Sequence, residues 1–321
     1  IKATDMEMGA EIRVLAKIEK EGSITVPGKE FIEALSNLPK DKVMLEIKDE
    51  KLILSCRKNT VIFNTISSKE FPQLYVGRGI EVAIFTLEEF RSIFSYLTFS
   101  VSFDESRPQL TGVYIDKKEN GLNFVATDGY RMSVVKTAVG KKKIEEGLIV
   151  SVLLINEVLA LKNDKDIVLR VNKDSNQILF EVGDVVLLGR MIGGAFPDYE
   201  RVIPGECRTS IVLDREQLLQ NIKLASVLAH DDSNIASIEV VGGELKLSTK
   251  TQGVGEGESI MEGKQEGEDN SASFNIHYLQ DLVKTLSEPE IILKLNSANE
   301  PALFEIKERD FKHVIMPIQA D

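Results

Sequence analysis

Cysteine occurs only twice in the 321 residues, at Cys56 and Cys207. That is too few for a disulfide framework in a chain of this length, and a reducing cytoplasm is the expected setting. No apolar run approaches the roughly 18 residues that a bilayer-spanning helix needs. The opening stretch IKATDMEMGAEIRV has neither a basic region nor an apolar one, so no secretory signal is read there. Basic charge is also short: 39 Lys and Arg stand against 51 Asp and Glu, a net of −12. This balance argues against a protein that coats itself onto nucleic acid, while leaving room for a local basic surface. Catalytic signatures are missing as well. There is no P-loop, HExxH, CxxC or GxSxG. His230, His277 and His313 are too scattered to form a ligand set. No catalytic residue, metal or cofactor is expected.

What is present is an ordinary globular composition, 43% hydrophobic and 28% charged, in a chain longer than one hydrophobic core usually serves. Self-similarity organises it. Three segments, SITVPGKEFIEALSNLP from Ser23, GLIVSVLLINEVLALKN from Gly147 and SASFNIHYLQDLVKTLS from Ser271, pass from a strand residue through a turn into helical apolar spacing. Val26, Val150 and Phe274 correspond, with equal steps of 124 residues (150 − 26 and 274 − 150). A second helical segment recurs from Phe85 and from Leu213, and short alternating strands follow each helix. The repeats predict three units, 1–79, 80–203 and 204–321. The first is expected to be incomplete, because its ATD element at Asp5 opens the chain whereas the matching Asp128 follows a whole strand and helix. Two helices per repeat among many antiparallel strands is an α+β pattern, helices covering one face of the sheets.

Few residues invite a chemical reading. GVGEGES at 253–259 has close glycines but leads into an acidic run, so a flexible hairpin loop is expected rather than a phosphate cradle. Asp128 and Asp198 allow an alternative reading as the carboxylate pair of a hydrolase or nucleotidase. Asp-Gly after a strand, however, is also a turn whose carboxylate bonds the local backbone. Leu110, Met132, Val202, Met316, Pro317 and Ile318 cluster at repeat edges, as core packing or as an apolar groove for peptides.

RPQLTGVYI (107–115), VATDGYRMSVV (125–135), GAFPDYERVIP (194–204) and the terminal HVIMPI (313–318), in this order and spacing, resemble the bacterial DNA polymerase III beta subunit, the sliding-clamp family. The resemblance spans the chain. It implies a non-enzymatic processivity factor, a head-to-tail homodimer closed into a ring of six similar domains, with sheets outside and helices lining a hole for double-stranded DNA. It also implies partners, namely the polymerase III catalytic subunit, the clamp loader and repair polymerases, docking by short linear peptides. No membrane partner is implied. The family pocket, carried over residue by residue, comprises Leu110, Thr127, Gly129, Tyr130, Arg131, Met132, Pro197, Arg201, Val202, Val314, Met316, Pro317 and Ile318. Tyr130 stands where some members have His, and the tail runs on through Gln319, Ala320 and Asp321. The implied DNA-facing residues are Lys29, Arg91, Arg215, Lys223 and Lys284 on helices and Arg107 on a loop. Val152 and Leu153 replace the basic residues often found at the second repeat's helix entry. The subunit interface is expected to join the strand 58–64, with Lys58 and the outward Val61 and Phe63, to Val227 and Leu228, with Glu266 and Glu268 near Lys58.

Overall fold

The period-two alternation expected of the strand sets appears directly in burial: along Glu290–Leu295 the residues Ile291, Leu293 and Leu295 are buried and their neighbours only partly so. The structure is a computed structural model and describes residues 1–75, 77–119, 121–137, 146–229, 234–251 and 253–319. The first domain contains β1 (Lys2–Thr4), β2 (Met8–Ile12), α1 (Gly28–Asn37), β3 (Met44–Lys48), β4 (Lys51–Cys56) and β5 (Asn59–Asn64). The second contains β6 (Ile80–Phe85), α2 (Leu87–Phe94), β7 (Gly112–Lys118), β8 (Gly121–Thr127), β9 (Arg131–Thr137), β10 (Leu148–Ser151), α3 (Val152–Ala160), β11 (Ile167–Asn172), β12 (Gln177–Val182) and β13 (Val185–Arg190). The third contains β14 (Thr209–Asp214), α4 (Arg215–Ser226), β15 (Ile235–Val241), β16 (Glu244–Thr251), β17 (Gly255–Glu262), β18 (Lys264–Gly267), β19 (Asn270–Asn275), α5 (Ile276–Thr285), β20 (Glu290–Leu295), β21 (Ala302–Glu305) and β22 (Phe311–Ile315).

Helix starts are written into the chain. Thr86 and Glu89 form a reciprocal capping box on α2. Asp214 accepts from the Gln217 amide at 2.7 Å on α4, and Asn275 from the His277 amide at 2.9 Å on α5. In the second domain α2 packs against α3, and in the third α4 packs against α5. Phe85, Phe90, Phe94, Phe124 and Phe180 meet edge-on in the second core, with centroids 5.4 Å apart for Phe94 and Phe124. The core of the first domain is smaller, built on Leu52, Leu54 and Phe63, and α1 has no buried residue. Among the described residues α1 is the one α-helix of this domain.

Two sheets run across domain boundaries. In the order β1-β2-β13-β12-β11-β6, the first domain's β2 pairs with the second's β13. In the order β10-β7-β8-β9-β22-β21-β20-β14-β18, β9 pairs with the third domain's β22. The cores continue through the second seam, since Val135 packs against both.

The expected flexible loop at 253–259 is corrected by the structure. Most of it is strand β17, antiparallel to β16 from Glu244 opposite Glu262 to Thr251 opposite Gly255. The acidic run alternates, so Met261 enters the core while Glu258 meets Lys246 at 2.8 Å across the strands. Gly257 serves close packing: a Cβ there would stand 2.7 Å from a Leu228 methyl carbon. Phe63 is also corrected. It is 8% exposed and faces α1 with the half-buried Val61, while Ile62 takes the outward position at 59%. The reason is the strict alternation of strand side chains. Lys58 lies in the turn just before β5.

Candidate functional site

Three segments converge where the β9–β22 seam meets the chain crossing from the second to the third domain. The first is the turn between β8 and β9. Thr127 donates its hydroxyl to the Arg131 carbonyl at 2.7 Å and accepts from the Gly129 amide at 3.0 Å. Gly129 sits at φ 96°, a left-handed conformation that glycine adopts without steric cost. The second segment is 194–203, which lays Phe196 flat on Tyr114 at 4.6 Å and buries Tyr199, leaving Val202 and the side chain of Arg201 exposed. The third is the chain after β22, where the Met316 amide donates to the Tyr130 carbonyl at 2.8 Å and the Ile318 amide to the Ser273 carbonyl at 2.7 Å.

Met132 and Val314 are direct cross-strand partners. With Val125, Val134, Tyr199 and Leu303 they form a buried apolar floor, and Tyr130, Val202 and Met316 are exposed on the three segments. Leu110 is buried in a 3-10 turn just before β7, and Pro197 follows the stacked Phe196. Thr127 and Gly129 form the turn beside this floor, Pro317 follows Met316, and Ile318 is tied to β19 by its backbone. Ala320 and Asp321 of the tail lie outside the described residues, as does His230.

Arg131 braces the floor from beneath. It is 8% exposed, binds Asp128 at 3.0 Å and Asp281 of α5 at 2.6 Å, and lies over the Tyr278 ring at 4.5 Å. The acid/base alternative finds no support here. One Asp128 oxygen accepts from the Tyr130 and Arg131 amides, the other binds the Arg131 guanidinium, and Asp198 is paired with Arg201 at 2.7 Å. Burial drives His313 down to about 3, so it is neutral, and its Nδ1 meets the Ser133 hydroxyl at 2.8 Å. His277 meets Asn234 at 3.1 Å. No cluster of metal-binding side chains occurs among the described residues.

Lys29, Arg91, Lys223 and Lys284 are exposed on α1, α2, α4 and α5 respectively. Arg215 is half-buried, with its Nε enclosed and unpartnered. Arg107 lies elsewhere: its guanidinium would be 3.1 Å from a Cβ on Gly129, and it pairs with Asp104 at 3.3 Å. It therefore stands at the rim of the apolar site, a placement that the linear sequence gave no signal for. Val152 is buried and Leu153 exposed on α3. Val227 is exposed after α4, and Leu228 packs beside β17. Glu266 and Glu268 lie on and just after β18, at an edge of the nine-stranded sheet rather than on β17.

Comparison with known proteins agrees with this architecture. Family models of the DNA polymerase III beta subunit match the N-terminal domain at residues 1–75, the central domain at 85–198 and the C-terminal domain at 200–319. The beta sliding clamp of Synechococcus elongatus is 30% identical over 328 residues, covering 99% of this chain and 87% of that protein. The crystal structure of the beta subunit from Thermotoga maritima has a TM-score of 0.91 at 24% identity, over 100% of this chain and 88% of that one. The sliding clamp from Bartonella birtlesii, solved bound to griselimycin, has a TM-score of 0.94 at 24% identity, over 99% and 88%. With three consecutive domain matches and a continuous alignment, the chain belongs to the DNA polymerase III beta subunit family, the beta sliding clamps.

Proposed function

We propose that this sliding clamp, a non-catalytic processivity subunit, works in the cytoplasm as a head-to-tail homodimeric ring around duplex DNA, with domains divided near residues 79 and 203. The observation that carries the ring is the repeated seam. Strands β2, β9 and β17 begin at residues 8, 131 and 255, and β5, β13 and β22 at 59, 185 and 311. Two of the three matching pairs are formed within the chain, β2 with β13 and β9 with β22. The remaining members, β5 of the first domain and β17 of the third, are each an edge of a sheet. A second copy satisfies both edges at once and closes the ring. Val61 and Phe63 then continue the first core toward Val227 and Leu228, as Val135 does at the second seam.

The net charge of −12 suits such a ring. An acidic exterior repels phosphate, and a sparse basic lining of Lys29, Arg91, Lys223 and Lys284 holds the duplex without trapping it. The apolar site at the β9–β22 seam receives short peptides from the replicative polymerase, clamp loader and repair polymerases. A peptide ending in Leu and Phe buries two side chains worth roughly 1.5–3 kcal/mol each before the cost of ordering it. The test is topological. Clamp loaded on nicked circular plasmid should stay bound and be released on linearisation; equal loss from both forms overturns the encircling mode.

A further inference from the structure

We propose that Tyr199, through its hydroxyl bonds to Asp116 and Asn123, is a positioning residue that sets the wall of the peptide site; the inference rests on the peptide-binding reading above. The wall is the four-residue 3-10 turn Tyr199–Val202, which presents Arg201 and Val202 outward. A turn this short has little stability of its own. Its preceding residue supplies no side-chain cap, because the Asp198 carboxylate is held by Arg201.

Two anchors hold it on the sheet instead. The stack of Phe196 on Tyr114 pins the segment upstream. Tyr199 pins the turn itself. Its ring enters the apolar floor with Met132 and Val314, and its hydroxyl donates to Asp116 Oδ2 at 2.7 Å and accepts from Asn123 Nδ2 at 2.9 Å. Asp116 and Asn123 face each other on β7 and β8, so the bonds attach the turn to two strands. Lys118 clamps the arrangement from outside, reaching Asp116 at 2.9 Å and Glu200 at 2.8 Å. Burial, with the Asp116 carboxylate beside it, pushes the Tyr199 phenol up, so the hydroxyl stays a donor throughout the physiological range. The same ring thus forms part of the floor and, through its hydroxyl, aims the wall, without reaching the surface where a peptide lies.

The experiment measures anisotropy of a fluorescein-labelled pentapeptide ending in Leu-Phe on the intact dimer. Tyr199→Phe keeps the ring and loses the hydroxyl; affinity is expected to fall about tenfold, with sedimentation as a dimer and retention on circular DNA unchanged. Asp116→Ala should weaken binding similarly. The losses in the double variant should be less than additive, because the two substitutions have the Tyr199–Asp116 bond in common. Asp116→Asn, which keeps an acceptor for the hydroxyl, should restore binding to within about twofold. Wild-type affinity in Tyr199→Phe, or additive losses in the double variant, overturns the positioning role. Met132→Ala separates the two levels. If it weakens binding while Tyr199→Phe does not, only this inference fails; if neither weakens it, or the unaltered protein does not bind, the peptide reading fails with it.

Discussion

Tyr96, just beyond the end of α2, donates its hydroxyl to the Glu288 carboxylate at 2.7 Å across 192 residues of sequence. Its ring belongs to the third domain's core, edge-on to Phe311 at 5.3 Å, and Arg309 covers it at 5.0 Å while binding Glu288 at 2.7 Å. A side chain of one domain therefore completes the core of the next. Tyr96→Ala should cost about 3–5 kcal/mol by emptying a packed site. Calorimetry should then show the second and third domains unfolding in separate transitions, whereas a single unshifted transition would deny the coupling.

Stability should fall in mild acid because of His313. The ring is buried among Phe99, Phe304 and Phe311, with Arg131 the charged group acting on it. Its folded pKa of about 3 lies below the ordinary 6.5, so the unfolded chain takes up a proton that the folded chain refuses. The contribution is complete above pH 6.5 and is lost as pH falls toward 3, at about 1.4 kcal/mol per pH unit. Urea titrations of His313→Gln should show a shallower slope between pH 6 and 4; equal slopes would refute the assignment.

Ring closure should be sensitive to Leu228. Leu228→Asp places a charge between the β17 hairpin and the incoming first domain, which should cost several kcal/mol and favour the monomer. Sedimentation at low micromolar concentration measures this, and an unchanged dimer would move the interface elsewhere.

Contact with DNA should be weak and indifferent to sequence. Reversing Lys29 and Lys284 to Glu should flatten the dependence of log K on log salt by about 0.9 for each lost phosphate contact. Arg107→Glu should instead affect peptide affinity, since it borders Gly129. Titrations on two unrelated duplexes test the first statement and peptide anisotropy the second; a loss confined to one duplex would contradict topological binding.

Peptide affinity should depend on the tail. Deleting 316–321 removes Met316 and the bonds from its amide to Tyr130 and from Ile318 to Ser273. Anisotropy should then detect no binding, while sedimentation still reports the dimer. Full affinity in the deletion would displace the site.

The three-domain α+β plan was legible in the sequence because helical and strand periodicities recur at nearly constant offsets. The candidate pocket residues Met132, Val314 and Met316 were named from motif resemblance, as was the turn at Gly129. Packing across the chain decided the rest. Whether Val61 and Phe63 face in or out depends on the register of β5 against β4, and a shift by one residue reverses both. The glycines of 253–259 read as a loop, yet Gly257 is small to admit Leu228, a neighbour that local sequence does not reveal. Arg107 read as a DNA contact because its charge was visible, whereas its approach to Gly129 depends on the fold. Residue type and spacing determined the elements and their repetition; long-range approach of side chains determined which surface each charge and each apolar group serves.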